Sequence, residues 1–125
     1  MILDYGGGFG TLAKEIAKIT PLSEVDIYEP YASKYAYENI QEFKNIKIVI
    51  NLKENYYDVL ANTDILEHTE KPTELIAIYN KCLKKGGMLI SHWNFLPAFI
   101  AICQNISILD IILRRLFFRW VFLRN

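Results

Sequence analysis

The sequence predicts an α/β fold in which a parallel β-sheet is covered by helices on both faces. Short apolar segments alternate with helical patterns over residues 1–91, in the order βαβαββαβ. A loop with four glycines joins the first strand directly to the first helix. Because connections between parallel strands are right-handed, we expect a ligand crevice at the carboxyl ends of the strands, beside the first strand.

The amino-terminal elements follow from local patterns. Residues 1–3 are apolar, as at the buried end of a parallel strand, and residues 6–10 form the glycine loop. Residues 11–19 place Leu12, Ile16 and Ile19 on one helical face. Residues 24–29 alternate apolar and polar side chains, which predicts a second strand that Pro30 ends. Its last residue, Glu29, is therefore expected at the strand tip.

The remaining elements are a helix over residues 32–43, short strands over 46–50 and 57–61, and a loop over 62–69. A helix is predicted over residues 71–84, with Pro72 in its first turn. We expect Gly86 and Gly87 to end this helix before a fifth strand over residues 88–91.

Composition limits the functional classes. The chain has 125 residues, 52% of them apolar, and no net charge, so it fits one domain without a general attraction for nucleic acid. Cys82 and Cys103 lack the spacing of metal ligands and read as reduced intracellular thiols, and we expect no metal site. Because no signal-peptide pattern is present, a cytoplasmic location is predicted.

The glycine loop predicts a nucleotide-like ligand, since glycines let a ligand approach backbone N–H groups closely. Two classes of protein use such a junction. Residues 8–13 satisfy the spacing G-x-G-x-x-[GA] that is typical of dinucleotide-binding proteins. Asp4 precedes alternating glycines at Gly6, Gly8 and Gly10, and its carboxylate would repel a pyrophosphate but attract a cationic ligand.

Four segments together resemble the class I S-adenosylmethionine-dependent methyltransferases, in the subgroup that includes ubiquinone, menaquinone and many small-molecule methyltransferases. Residues 3–10 resemble the cofactor loop, and residues 25–29 resemble the strand that ends on an acid. Residues 57–68 contain the Asp-x-Leu-Glu-His sequence, and residues 83–90 resemble the lead into the fifth strand. The four segments occur in the same order as in the family. The resemblance implies a Rossmann-like, doubly wound sheet of strand order 3-2-1-4-5, with S-adenosylmethionine as cofactor and a small molecule as methyl acceptor.

The resemblance also implies roles for particular residues. The glycines would bring the backbone to the methionine part of the cofactor, Asp4 would contact its polar end, and Glu29 would hold the ribose. The other cofactor-binding candidates lie near the adenine or the methyl group: Pro30, Asn51 and Asn62. Methyl transfer from a sulfonium needs alignment and exclusion of water rather than a nucleophile, so His68 and His92 are candidates only as general bases. The alternatives are a non-catalytic S-adenosylmethionine-binding module without an acceptor lid, and an NAD-dependent oxidoreductase.

The chain ends suggest truncation, because the family usually has helices before the first strand and two further strands after the fifth. We expect residues 1–92 to be the cofactor-binding core, and residues 93–125 to be an apolar, basic, helical tail of the same domain without those strands. Three interpretations of the tail remain open: the shortened end of a fragment, a helix that covers a sheet edge or mediates self-association, and a cationic segment lying on a membrane surface.

Overall fold

The computed structural model describes residues 1–92 and 120–124. Its strands are β1 (Ile2–Tyr5), β2 (Val25–Tyr28), β3 (Ile46–Val49), β4 (Tyr57–Thr63), β5 (Leu83–His92) and β6 (Trp120–Arg124). Its helices are α1 (Thr11–Ile19), α2 (Lys34–Ile40) and α3 (Pro72–Cys82), and a 3-10 turn covers Leu66–His68. None of these helices is long and apolar enough to cross a membrane.

The sheet has the order β3-β2-β1-β4-β5-β6, and its first five strands are parallel. This confirms the predicted order 3-2-1-4-5 and the doubly wound α/β fold. Because β1 and β4 are parallel neighbours, their carboxyl ends lie side by side, at the point in the sheet where the strand order reverses.

Two hydrophobic clusters cover the two faces of the sheet. On the α1 side, small residues of α1 pack against buried β-branched residues: Ala13, Ala17, Val25, Ile27, Ile40 and Ile46. On the α3 side, the cluster contains two tyrosines with no exposed surface and several leucines: Leu3, Tyr57, Leu60, Leu66, Tyr79, Leu83 and Leu89. Helices on both faces therefore fix the position of the central strands and of the loops at their carboxyl ends.

The expected absence of strands after the fifth was wrong for residues 120–124. They form β6, which pairs antiparallel with β5, from Met88 opposite Arg124 to His92 opposite Trp120. The physical reason is the edge of β5, whose backbone groups need hydrogen-bond partners that a helix could not supply. These five residues are thus not helical, and the rest of the predicted 93–125 tail lies outside the described residues.

The end of α3 also differs from the prediction. The helix ends at Cys82, and Leu83 already belongs to β5. Gly86, at φ +81°, and Gly87 lie inside a bulge of β5, where the pairing shifts from Tyr57–Leu83 to Val59–Met88. Glycine at positive φ permits a β-bulge as readily as it permits a helix end. The glycine pair in the sequence therefore fits both structures and could not distinguish between them.

Candidate functional site

The glycine loop turns sharply between β1 and α1. Gly6, Gly8 and Gly10 have φ values of +71°, +52° and +79°, in the left-handed region that other residues rarely adopt. At Gly10 a Cβ would lie 2.7 Å from Cγ2 of Ile40, so tight packing against α2 also requires glycine there. At Gly8 a Cβ would meet nothing within 4 Å. The backbone at Gly8 is therefore open to a ligand.

A cleft of about 420 Å³ lies beside this loop, at the carboxyl ends of β1 and β4. It is lined by the loop, the first turn of α1 and the end of β4: Asp4, Gly6, Gly7, Gly8, Thr11, Leu12, Glu15 and Thr63. The structure thus brings Asp4, Gly6 and Gly8 together in one cavity, as expected, whereas Gly10 is buried beneath the loop.

Sequence reasoning missed the contribution of α1 to the cleft. Thr11 and Glu15 line it, one helical turn apart on the same face. Glu15 also forms an ion pair with Lys18, at 2.6 Å between Oε1 and Nζ. The helical period could have identified these polar residues, since they lie in the first two turns of the helix that follows the glycines, on a different face from Ala13 and Ala17.

Asp4 is a buried carboxyl group at the base of the cleft, with 1% of its surface exposed. Burial raises its pKa to about 6; a hydrogen bond with the Ala13 backbone opposes the rise, and the charge of Glu29 adds to it. Within the described part of the chain, Asp4 Oδ2 has no hydrogen-bond partner. A buried carboxyl oxygen without a partner favours a ligand that offers a cation or an N–H donor.

Glu29 lies directly after β2 and contacts the glycine loop. Its Oε2 accepts a hydrogen bond from the Gly8 backbone N–H at 3.2 Å, and its Oε1 accepts one from the Tyr31 N–H at 3.4 Å. Each carboxylate oxygen can accept a further hydrogen bond. Pro30, which lies between Glu29 and Tyr31 in the sequence, is exposed. Glu29 is therefore well placed to accept hydrogen bonds from ligand hydroxyl groups beside Gly8.

Asn62 does not project into the cleft. Asp4 pairs with Ala61, so Asn62 lies on the opposite face of the sheet, toward α3. Its Nδ2 donates to the Tyr79 hydroxyl at 3.1 Å, and the side chain is fully buried. Burial raises the pKa of Tyr79, so its hydroxyl stays protonated. The next residue, Thr63, is the one that lines the cleft.

The other predicted site residues lie outside the cleft lining. Asn51 is exposed, two residues after the end of β3. His68 is exposed at the end of the 3-10 turn, where its backbone N–H donates to the Ile65 carbonyl at 3.1 Å. His92, at the end of β5, is half-buried, with Nδ1 3.1 Å from Asp64 Oδ1. In residues 1–92 and 120–124, no group of three or more His, Cys, Asp or Glu side chains could hold a metal ion.

The site thus combines an open backbone loop, a buried carboxyl group and a second carboxylate that touches the loop. The buried carboxyl suits a positively charged ligand group, and the second carboxylate suits neighbouring hydroxyls. The carboxylate of Asp4 would repel a pyrophosphate. Chemically, the cleft favours a cationic nucleoside over a dinucleotide.

Comparisons with known proteins agree with this geometry. A family model described as a methyltransferase domain matches residues 1–120. A sequence search of curated proteins finds no significant match. Among solved structures, a SAM-dependent methyltransferase from Aquifex aeolicus is similar, at 18% identity and a TM-score of 0.64, over 74% of this chain and 55% of that one.

Two further solved structures show the same fold with different described activities. The phosphoethanolamine N-methyltransferase 2 of Haemonchus contortus, in complex with S-adenosylmethionine, is 18% identical with a TM-score of 0.65, over 82% of this chain and 27% of that one. The cyclase SpnF is also 18% identical with a TM-score of 0.65, over 74% of this chain and 38% of that one. The chain thus spans between about a quarter and just over half of the length of these structures. At such identities, the likeness establishes the fold.

Proposed function

This chain belongs to the methyltransferase-domain family, and from that premise we propose that it binds S-adenosylmethionine in the cleft and transfers its methyl group to a small-molecule acceptor. The observation that carries the proposal is Asp4: a buried carboxyl group, lining the cleft beneath an open glycine loop, with one oxygen that has no partner among the described residues. Such an oxygen fits the ammonium group of the cofactor's methionine part.

Glu29 supports the nucleoside half of the proposal. Its carboxylate reaches the Gly8 N–H, so a ribose held by Glu29 would lie against the open side of the loop. The exposed Pro30 then follows at the position proposed to flank the adenine. Asn51, exposed after β3, is the proposed contact of the adenine amino group. We propose no ligand contact for the Asn62 side chain, because it is buried against Tyr79 and holds the end of β4 against α3.

When bound, S-adenosylmethionine supplies a methyl group on a sulfonium that is already a good leaving group. The residues of the chain therefore have to bind, orient and exclude water. Where the acceptor must lose a proton, we assign the base to His92 rather than His68. Nδ1 of His92 lies 3.1 Å from Oδ1 of Asp64, a contact that orients the ring, whereas His68 is exposed.

The proposal of a small-molecule acceptor rests on the resemblance of four segments, among them residues 57–68, to a subgroup that includes ubiquinone, menaquinone and many small-molecule methyltransferases. Peripheral membrane contact or self-association through residues 93–125, and a cytoplasmic location, stay predictions. The likeness to the cyclase SpnF indicates that this fold also serves reactions other than methylation. Binding and turnover therefore need separate tests.

Calorimetric titration of the full chain with S-adenosylmethionine, S-adenosylhomocysteine and NAD tests the cofactor. We expect saturable binding of the first two and none of NAD; binding of NAD alone would support the oxidoreductase instead. Incubation with methyl-labelled cofactor and a metabolite extract then tests turnover. Label in a small molecule supports the proposed enzyme, whereas tight binding with no label transfer favours a non-catalytic binding module.

A further inference from the structure

A side chain of α2 holds the glycine loop from outside the cleft. Nδ2 of Asn39 donates to the backbone carbonyl of Phe9, in the middle of the loop, at 2.8 Å. Oδ1 of Asn39 accepts from Nζ of Lys14 on α1 at 2.7 Å, which fixes the direction in which the amide points. Asn39 thus connects α1, α2 and the loop, although Lys14 and Phe9 lie 25 and 30 residues away from it in sequence.

The same face of α2 also contacts the Phe9 side chain. Tyr35 precedes Asn39 by one helical turn, so both side chains lie on one face of the helix. The Phe9 and Tyr35 rings meet edge to face, with centroids 5.3 Å apart and an interplanar angle of 87°. Both the carbonyl and the ring of Phe9 are therefore held by α2.

Two further attachments of the loop come from the β2 side. The Gly6 N–H donates to the Tyr28 carbonyl at 2.9 Å, and the Gly8 N–H donates to Glu29 at the longer distance of 3.2 Å. Glu29 is also the residue to which we assign the ribose, so a bound ligand would share its carboxylate with the Gly8 N–H. Neither Asn39 nor Phe9 lines the cleft, so their contact lies outside the proposed ligand site.

We propose that Asn39 is a positioning residue that preorganises the glycine loop for the cofactor, an inference that rests on the proposed function. Three glycines at positive φ leave the free loop many conformations, and ordering them on binding costs affinity. A side-chain hydrogen bond to Phe9 removes part of that freedom before the cofactor arrives. Asn39 therefore sets the affinity without touching the ligand.

The test compares Asn39→Asp and Asn39→Ala with the control Asn45→Asp. Asn39→Asp keeps an acceptor for Lys14 but loses the N–H donor to Phe9, and Asn39→Ala loses both without adding charge. Asn45 makes the same type of contact, from Nδ2 to the Ser23 carbonyl at 2.9 Å, at the opposite end of the sheet. The control thus removes one amide–carbonyl hydrogen bond that is remote from the cleft.

We expect both Asn39 variants to raise the dissociation constant of S-adenosylmethionine by about two- to tenfold, the usual range for one neutral hydrogen bond. Asn45→Asp should leave that dissociation constant unchanged, while it lowers the thermal midpoint by about as much as the Asn39 variants do. Equal affinity in wild type and the Asn39 variants would overturn the inference. An equal loss in the control would also overturn it, since that loss would reflect stability alone.

Hydrogen exchange of the loop amides separates this inference from the proposed function. In the ligand-free chain, Asn39→Asp should speed exchange at residues 6–10, and Asn45→Asp should not. If wild type binds no S-adenosylmethionine, the proposed function fails. Faster exchange in Asn39→Asp would still show that Asn39 orders the loop. Unchanged exchange in Asn39→Asp would refute the role of Asn39 in ordering the loop, even if wild type binds the cofactor.

Discussion

Replacing Asp4 with asparagine should make the ligand-free protein more stable at neutral pH. Burial raises the pKa of Asp4 from 3.8 to about 6. The folded state therefore holds a proton on Asp4 more tightly than the unfolded state, and stability is lost as pH rises from 3.8 to about 6. At about 1.4 kcal/mol per tenfold change in the ionisation constant, the full loss is about 3 kcal/mol. An asparagine side chain has the same shape and cannot ionise, so the variant avoids this loss.

Urea unfolding of wild type and Asp4→Asn between pH ~4.5 and ~7.5 measures the effect. The difference in unfolding free energy should grow with pH and level off above about 6. Asp58→Asn is the control, because the hydrogen bonds of Lys84 and the amino terminus lower the pKa of Asp58 to about 2, outside this range. Parallel curves for wild type and Asp4→Asn would refute the assignment of a raised pKa to Asp4.

Further predictions concern the ligand and the packing around it. The dissociation constant of S-adenosylmethionine, measured by calorimetry, should rise as pH falls below about 6, because a protonated Asp4 loses its attraction for the ammonium group; a flat profile would contradict this role. Glu29→Ala should weaken cofactor binding by about 1–3 kcal/mol if it holds the ribose, and an unchanged affinity would exclude that role. Gly10→Ala should cost more than about 2 kcal/mol in urea unfolding, since its Cβ would meet Ile40, whereas Gly8→Ala should cost about 1–2 kcal/mol and mainly weaken binding. Tyr79→Phe removes the hydroxyl that accepts from Asn62, and should lower the unfolding free energy by about 1–3 kcal/mol without changing cofactor affinity.

The order of strands and helices could be predicted because it depends on patterns within short segments. The apolar face of α1 set its bounds, and the helix forms at Thr11–Ile19 as expected. The glycine loop and Asp4 are adjacent in sequence, so their meeting in one cleft needed no long-range information. Glu29 could be placed because it directly follows the neighbouring strand of a parallel sheet.

Features that depend on distant pairings were not predictable. The direction of Asn62 depends on which residue of β1 it faces, and a one-residue change of register would have pointed it into the cleft. β6 lacks alternation in its sequence and forms because it meets the edge of β5. The contact of Asn39 with Phe9 depends on how α2 packs beside the loop, which no local pattern describes.

The central claim is that the buried carboxyl group of Asp4 makes this cleft a site for a cationic nucleoside. Titration of wild type and Asp4→Asn with S-adenosylmethionine at neutral pH tests it most directly. We predict saturable binding to wild type and a loss of about 1.5–3 kcal/mol in the variant, the range for a hydrogen bond to a charged group. Equal binding to both proteins, or no binding to wild type, would contradict the claim.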